Sequence, residues 1–328
     1  MPNSSDYTPI FQSVLAQDFT GHLKEKRASG YRYGYEASSL EKFDRFLSQE
    51  GHNCHNLPKY LVESWIAKHV HESHKTHFNR VVVIRQFAKY LLRQGLPAYA
   101  PPPGCARRGQ DAFAPYIFTA AEIKRFLAEV DHFQPSPRSP RRHIVMPELF
   151  RLLIFCGLRL SEVLSLCVKD VNLETGVLTI RNTKFGKDRL VPMTSSITHR
   201  LRVFADRLGV RNGELPFFPS LKERRYYDAT IYQTFRAILK RIGVEHRGRG
   251  LGPRLHDFRH TFAVHRLLGW YREGTDLNAK LPILATYLGH QGMNGTQRYL
   301  HLVPELLPEV TTLLERSVGY IIPGKELP

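Results

Sequence analysis

The stretch Leu255–His265, LHDFRHTFAVH, decides how the chain is to be read. Leu255, Phe258, Phe262, Ala263 and Leu267 recur at helical spacing and supply the apolar faces of a helix expected over Leu255–Leu268. His256 and Arg259 stand three apart, so one face carries both, and His260 lies next in line. A guanidinium grips a phosphate by a two-pronged fork, and an imidazole adds a proton or a hydrogen bond. The pair therefore suits a phosphate; the competing reading is a satisfied core histidine. The motif is read as a phosphate site, and no metal is implied.

Working outward, three more segments carry a polar residue out of keeping with its surroundings. In CGLRLSEVLSL (156–166), Arg159 sits among apolar neighbours. It follows a buried helix expected from Met146 to Cys156 and stopped by Gly157, and it precedes a short helix over Ser161–Leu166 with Ser161 as its N-cap. A guanidinium there needs an anion, because burying it unpaired is costly. A structural Arg159–Glu162 pair would also satisfy it. NTKFGKDRLVP (182–192) puts Lys184 and Lys187 on the turn Thr183–Asp188 of a hairpin with strands Val177–Arg181 and Arg189–Pro192. A lysine there can reach into a neighbouring groove or simply be solvated. In LGHQGMNGTQRYLH (288–301), Gly289-His290 closes a helix over Leu281–Leu288. A Gly-rich turn follows, then Tyr299 in a helix over Gly295–His301, which the turn would let pack across the preceding one. Taken alone, Tyr299 also fits an amphipathic surface position.

The rest of the chain frames these motifs. Its 328 residues suggest about two domains. A hydrophobic share of 42% with 11% aromatic is that of a globular chain and argues against a disordered basic tail. No run of about 18 apolar residues predicts a membrane helix, and MPNSSDYTPIFQ does not read as a secretory signal. Cysteines at 54, 105, 156 and 167, with no CxxC pair, fit a reducing cytosol. The formal charge of +17 points to a polyanion, most simply nucleic acid. The excess is spread, with +5 in residues 1–113 and +12 in residues 114–328, so it decorates folded surfaces. A protein holding DNA between two domains would look like this, and so would any basic enzyme.

APPPGCARRGQDAFAP (100–115) is the best domain boundary, because three consecutive prolines block helix. Before it, Tyr7–Lys26, Tyr35–Gln49, Pro58–His71 and His74–Arg93 each read as helix. In the last, Phe78, Val81, Val82, Ile84, Phe87, Ala88, Leu91 and Leu92 make the buried face. This is a compact bundle of about four helices. After it, Thr119–Glu122 is a capping box opening a helix to about Val130, residues 132–143 form a Pro-rich loop, and further helices are expected over Ser196–Leu208, Thr230–Ile242 and Glu305–Arg316. The second half is thus mostly helical with one small antiparallel sheet.

The order Arg159, Lys184, His256-x-x-Arg259, Gly289-His290, Tyr299 resembles the tyrosine recombinase (phage integrase) family. The matching motifs are GLRLSE, TKFGKDRLVP, HDFRHTFA, LGH and TQRY, and they span residues 115–303. The four N-terminal helices look like that family's core DNA-binding domain, more by pattern than by motif. GWYREGTDLNAKLP (269–282) departs from the family by lengthening the connection between Arg259 and His290, and reads as a surface insertion. Its Trp270 and Tyr271 would pack locally or meet a partner.

The resemblance implies a mainly α fold with a small antiparallel β-sheet: a SAM-like core-binding bundle (1–100), a linker (101–115) and a catalytic domain with a C-terminal tail (116–328). It implies that Tyr299 attacks a DNA phosphodiester, leaving a 3′-phosphotyrosyl bond and a free 5′-hydroxyl. Arg159 and Arg259 would clamp the non-bridging oxygens, and Lys184 would protonate the leaving oxygen. His256 and His290 would hydrogen-bond the phosphate, and Glu162 would orient Arg159 or His256. Cations take the place of a metal, so no cofactor, Mg²⁺ or ATP is expected. Further contacts to double-stranded DNA are expected from Lys75, Arg80, Arg107, Arg108, Lys187 and Arg189.

Two strand exchanges through a Holliday junction, by a homo-tetramer on two DNA sites, would recombine them. Accessory recombination proteins are possible partners. Val318, Ile321 and Ile322 would dock the tail on a neighbouring protomer or on its own domain. A cytoplasmic, nucleoid-associated setting follows. The absence of an arm-binding domain before residue 7 weighs against two-site phage integrases, and integration or excision of a mobile element is the task expected. The alternatives are a type IB topoisomerase-like relaxing enzyme and a chromosome-dimer resolving recombinase. A non-catalytic DNA-binding protein conflicts with the intact residue set, and a metal-dependent nuclease lacks its carboxylate cluster.

Overall fold

The computed structural model describes residues 8–31, 33–107, 115–137, 139–181, 188–209, 212–221, 223–246, 252–290, 292, 294–297 and 299–300. Lys184, Lys187, Arg108, the helix expected over Glu305–Arg316 and the apolar tail residues lie outside them. The chain divides into two compact units, Met1–Ala112 and Phe113–Pro328.

The first unit is built from α1 (Ala16–Ala28), α2 (Gly34–Gln49), α3 (Lys59–Ile66) and α4 (His74–Arg93). Their apolar stripes meet in a core that includes Leu15, Phe19, Leu40, Phe43, Leu61, Ile84 and Phe87, with Phe19 and Phe87 stacked at 4.0 Å. α1 starts later than the apolar spacing predicts. Asp44 on α2 accepts the backbone N–H groups of Gln12 at 2.7 Å and Ser13 at 3.0 Å, which holds that segment outside the helix. α3 ends at Ile66, and Ala67 is already off helical geometry. The buried face of α4 includes Val81, Ile84, Phe87, Ala88 and Leu91 as expected and also takes in Val83, whereas Leu92 is 49% exposed.

Arg80, expected to contact DNA, is 8% exposed. Its Nε donates to Glu72 at 3.0 Å, and its other nitrogens donate to the Trp65 and Ala67 carbonyls. Those bonds close the end of α3 onto the start of α4, so Arg80 serves the fold. Lys75 and Arg107 are exposed.

The second unit begins with α5 (Ala120–Asp131), opened by the Thr119–Glu122 capping box as the sequence predicts. Next come α6 (Arg142–Phe155), α7 (Leu160–Ser165) and a 3-10 turn at Val168–Asp170. An antiparallel sheet follows in the order β1 (Val171–Asn172), β2 (Val177–Ile180), β3 (Arg189–Pro192), with Ile180 paired to Arg189 at the mouth of the hairpin. α8 (Ser195–Leu208), α9 (Asp228–Arg241), α10 (Asp257–Arg272), α11 (Leu277–Leu288) and the single turn α12 (Asn294–Gln297) complete the described elements. Among the described residues no helix is long and apolar enough to cross a membrane.

α10 packs against α6 and α11 and organises this unit. Phe258, 1% exposed, lies within 4.7 Å of Phe118, 5.0 Å of Phe126 and 5.4 Å of Phe235, centroid to centroid. Aromatic pairs of this kind contribute about 0.5–1.5 kcal/mol each beyond burial. They fix the rotation of α10 and with it the directions taken by Arg259 and His260. A second cluster gathers Ala263, Leu267, Leu281, Leu288 and Tyr299, and Trp270 and Tyr271 pack against it. The segment read as an insertion is therefore the end of α10 and the start of α11, and its two aromatics pack locally.

Candidate active site

α6 ends at Phe155, and Gly157 turns the chain with φ +58°, a conformation suited to glycine. This turn carries Arg159 to the start of α7, where Arg159 itself is the N-cap residue in place of Ser161. Glu162, three residues on, accepts the Arg159 backbone N–H at 2.9 Å and its Nη1 at 2.6 Å. The Arg159–Glu162 pair suggested by the sequence exists. It does not exhaust Arg159, whose Nη2 reaches the Gly289 carbonyl at 3.3 Å and whose side chain stays 26% exposed.

Two further arginines close on the same place. Arg259, 1% exposed, donates Nη1 to the Gly157 carbonyl at 2.9 Å and Nη2 to the Leu288 carbonyl. Arg189 donates Nε to the Tyr287 carbonyl at 2.9 Å, and Nη1 and Nη2 to the two Glu162 oxygens at 3.0 and 2.9 Å. Arg189 was expected to contact DNA directly. Its side chain is 8% exposed and is spent on Glu162 and the end of α11, so that expectation is corrected.

Three guanidiniums thus cap three successive carbonyls, Tyr287, Leu288 and Gly289, at the C-terminal end of α11, where the helix dipole is negative. Gly289 ends the helix with φ +67°, and a Cβ there would lie 2.9 Å from Arg189 Nη1, so the close approach of the arginine requires glycine.

The electrostatics favour a further anion. Burial pushes the Glu162 carboxyl up, but the Arg189 hydrogen bonds and charge, with Arg159, outweigh it and hold its pKa at about 2. It stays ionised at neutral pH and faces both Arg159 and Arg189. Burial and the neighbouring Arg159 charge lower the Arg259 pKa to about 10. A cation so placed is relieved by a bound anion, and a phosphate suits a pair of guanidiniums.

Tyr299 and three histidines adjoin the arginines. Tyr299 is 1% exposed, and a phenolate there would raise the Arg259 pKa, so the two groups are electrostatically coupled. Its Oη lies 3.1 Å from Nδ1 of His260, itself 2% exposed. His290 faces the Tyr299 ring at 6.2 Å and an interplanar angle of 25°, while its Nδ1 bonds Thr296 Oγ1 at 2.7 Å. His256 precedes α10, is exposed, and stands edge-on to His260 at 4.8 Å.

The structure therefore brings together Arg159, Glu162, His256, Arg259, His290 and Tyr299. His260, named in the sequence only as next in line, and Thr296, not singled out there, also belong to this group, while Arg189 is engaged by Glu162. The signal for His260 was present: it follows His256 by four residues on a helix, so the two side chains are neighbours.

The Phage integrase family matches residues 117–305. The "Putative integrase/recombinase y4rB" of Sinorhizobium fredii is 33% identical over 310 residues, covering 93% of this chain and 98% of its own. Among solved structures, the XerH site-specific recombinase bound to its palindromic difH substrate in a post-cleavage complex aligns with a TM-score of 0.62 at 21% identity, covering 85% of this chain and 79% of that one. The Tn1549 transposon integrase in complex with a circular intermediate DNA aligns at a TM-score of 0.59 and 20% identity, covering 86% and 94%. These two likenesses concern the fold.

Proposed function

The chain belongs to the phage integrase family and is a tyrosine recombinase, an enzyme that breaks and rejoins DNA, and from that premise we propose a division of labour among its residues. Arg159 and Arg259 hold the non-bridging oxygens of the scissile phosphate. Tyr299 attacks the phosphorus, forming a 3′-phosphotyrosyl bond and releasing a 5′-hydroxyl strand. Lys184 protonates the departing oxygen, and His256 and His290 hydrogen-bond the phosphate. Glu162 and Arg189 hold Arg159 in place. The supporting observation is the convergence of three guanidiniums on the end of α11 around one carboxylate, with Tyr299 coupled to Arg259. Positive charge aimed at a phosphate stabilises the extra charge of the transition state. A phenol has a pKa near 10, so its proton must also be disposed of in the reaction.

The first unit is a second DNA-binding domain in this reading, with Lys75 and Arg107 among its exposed cations. The working species is a tetramer on two DNA sites, acting through a Holliday junction. The biological task is integration or excision of a mobile element. The nearly end-to-end similarity to the putative integrase/recombinase of Sinorhizobium fredii supports that reading. Mapping cleavage by the purified protein on DNA flanking its own gene tests it. Paired, staggered cuts at the element's ends support the reading. Relaxation of any supercoiled plasmid without site preference would instead mark a type IB topoisomerase-like activity, and cuts at a single chromosomal site would mark dimer resolution.

A further inference from the structure

We propose that His260 is a catalytic residue, the base that takes the phenolic proton of Tyr299. The inference rests on Tyr299 being the nucleophile. His260 Nδ1 and Tyr299 Oη are 3.1 Å apart, and both side chains are almost wholly buried. That is the distance at which a proton passes between heavy atoms. The other two histidines meet the tyrosine differently. His290 presents its ring face, and its Nδ1 is engaged by Thr296 Oγ1. His256 lies against His260, edge to face, at the exposed side.

The fold holds the pair in register. Phe258, locked in its aromatic cluster, fixes the rotation of α10. Thr261, the residue after His260, accepts the Phe118 backbone N–H at 3.0 Å and anchors α10 on the other side of His260. Tyr299 is seated by its own core cluster and by its backbone N–H, which donates to the Thr296 carbonyl at 2.9 Å.

The step balances. The Tyr299 O–H bond breaks, and the proton moves to His260 Nδ1. The oxygen's electron pair forms the bond to phosphorus, the bond to the 5′-oxygen breaks, and that oxygen takes a proton from Lys184. In rejoining the flow reverses, and His260 returns its proton to the departing phenolate. Positioned general bases contribute about 10²–10⁴-fold.

The test compares single-turnover formation of the covalent adduct on a nicked duplex, from which the released fragment diffuses away. His260→Gln and His260→Asn both keep polar atoms near Oη but have no basic nitrogen. Each is checked first for thermal midpoint and DNA binding. The expected result is a loss of at least 100-fold in the cleavage rate of a folded variant. Two further readouts separate a base from a structural prop. Replacing Tyr299 by 3-fluorotyrosine, a more acidic phenol, shrinks the His260→Gln defect at least tenfold. A 5′-bridging phosphorothiolate substrate, whose leaving group needs no acid, rescues Lys184→Ala and leaves the His260→Gln defect unchanged. Cleavage by either folded variant within threefold of wild type overturns the proposal, as does a defect that fluorotyrosine does not touch. Absence of any adduct with wild-type protein would instead overturn the nucleophile assignment on which the proposal stands.

Discussion

Arg189 meets both carboxylate oxygens of Glu162, at 3.0 and 2.9 Å, and its third nitrogen meets the Tyr287 carbonyl at 2.9 Å. One residue thereby joins the start of β3, the start of α7 and the end of α11. Lys184 lies five residues before it, so the anchor also sets the base of the hairpin that carries the proposed general acid. Breaking a buried pair by removing one partner costs about 3–5 kcal/mol. Arg189→Met should lose that much in urea unfolding and slow cleavage at least tenfold. Arg189→Lys should recover only part of both, because an ammonium cannot make the paired bonds.

Acid should act through the same carboxylate. The folded-state pKa of Glu162, about 2, lies below the ordinary carboxylate range. The stabilisation it brings is therefore fully present above about pH 5 and is lost as the pH falls towards 2. Thermal melts across this window should show a decline that is shallower in Glu162→Gln. That variant should be less stable than wild type at pH 7 and closer to it at pH 3.

Anions should stabilise the DNA-free protein. Burial and Arg159 hold the Arg259 pKa at about 10, so its charge is disfavoured by the fold and relieved by a bound anion. Inorganic sulfate at a hundredfold excess over its Kd adds about 2.7 kcal/mol. Its melting point should rise by several degrees in sulfate against chloride of equal ionic strength. The gain should be largely absent in Arg259→Met.

Gly157, two residues before Arg159, is a sensitive position. Its φ is +58°, and a Cβ there would lie 2.5 Å from Phe262 Cδ1. Its carbonyl also receives Arg259 Nη1 at 2.9 Å. Gly157→Ala should cost about 2 kcal/mol or more, since backbone strain alone costs about 1–3 kcal/mol. Cleavage should fall further than stability alone accounts for. Adding Phe262→Leu should relieve the overlap while leaving the backbone strain, so rescue should be partial.

Most of the described helices were legible because they rest on local spacing, although α1 starts later and α3 ends earlier than expected. The capping box at Thr119 and the α4 boundaries depend only on neighbours in sequence. Arg80 and Arg189 were misread because a charge count carries no information on burial. Their anions, Glu72 and Glu162, are brought to them by tertiary packing. β1 is two residues long, too short for alternation to register. His260 was hidden by the richer motif around it, since a buried imidazole next to Arg259 acquires meaning only once Tyr299, 39 residues later, is placed against it.

The central claim is that Tyr299 forms the covalent bond to DNA. A nicked duplex carrying the cleavage site, incubated with purified protein and digested with trypsin, gives the direct measurement by mass spectrometry. A DNA-linked peptide modified on Tyr299 is expected, with no adduct from Tyr299→Phe. An adduct that persists in Tyr299→Phe, or that maps to another residue, would contradict that claim.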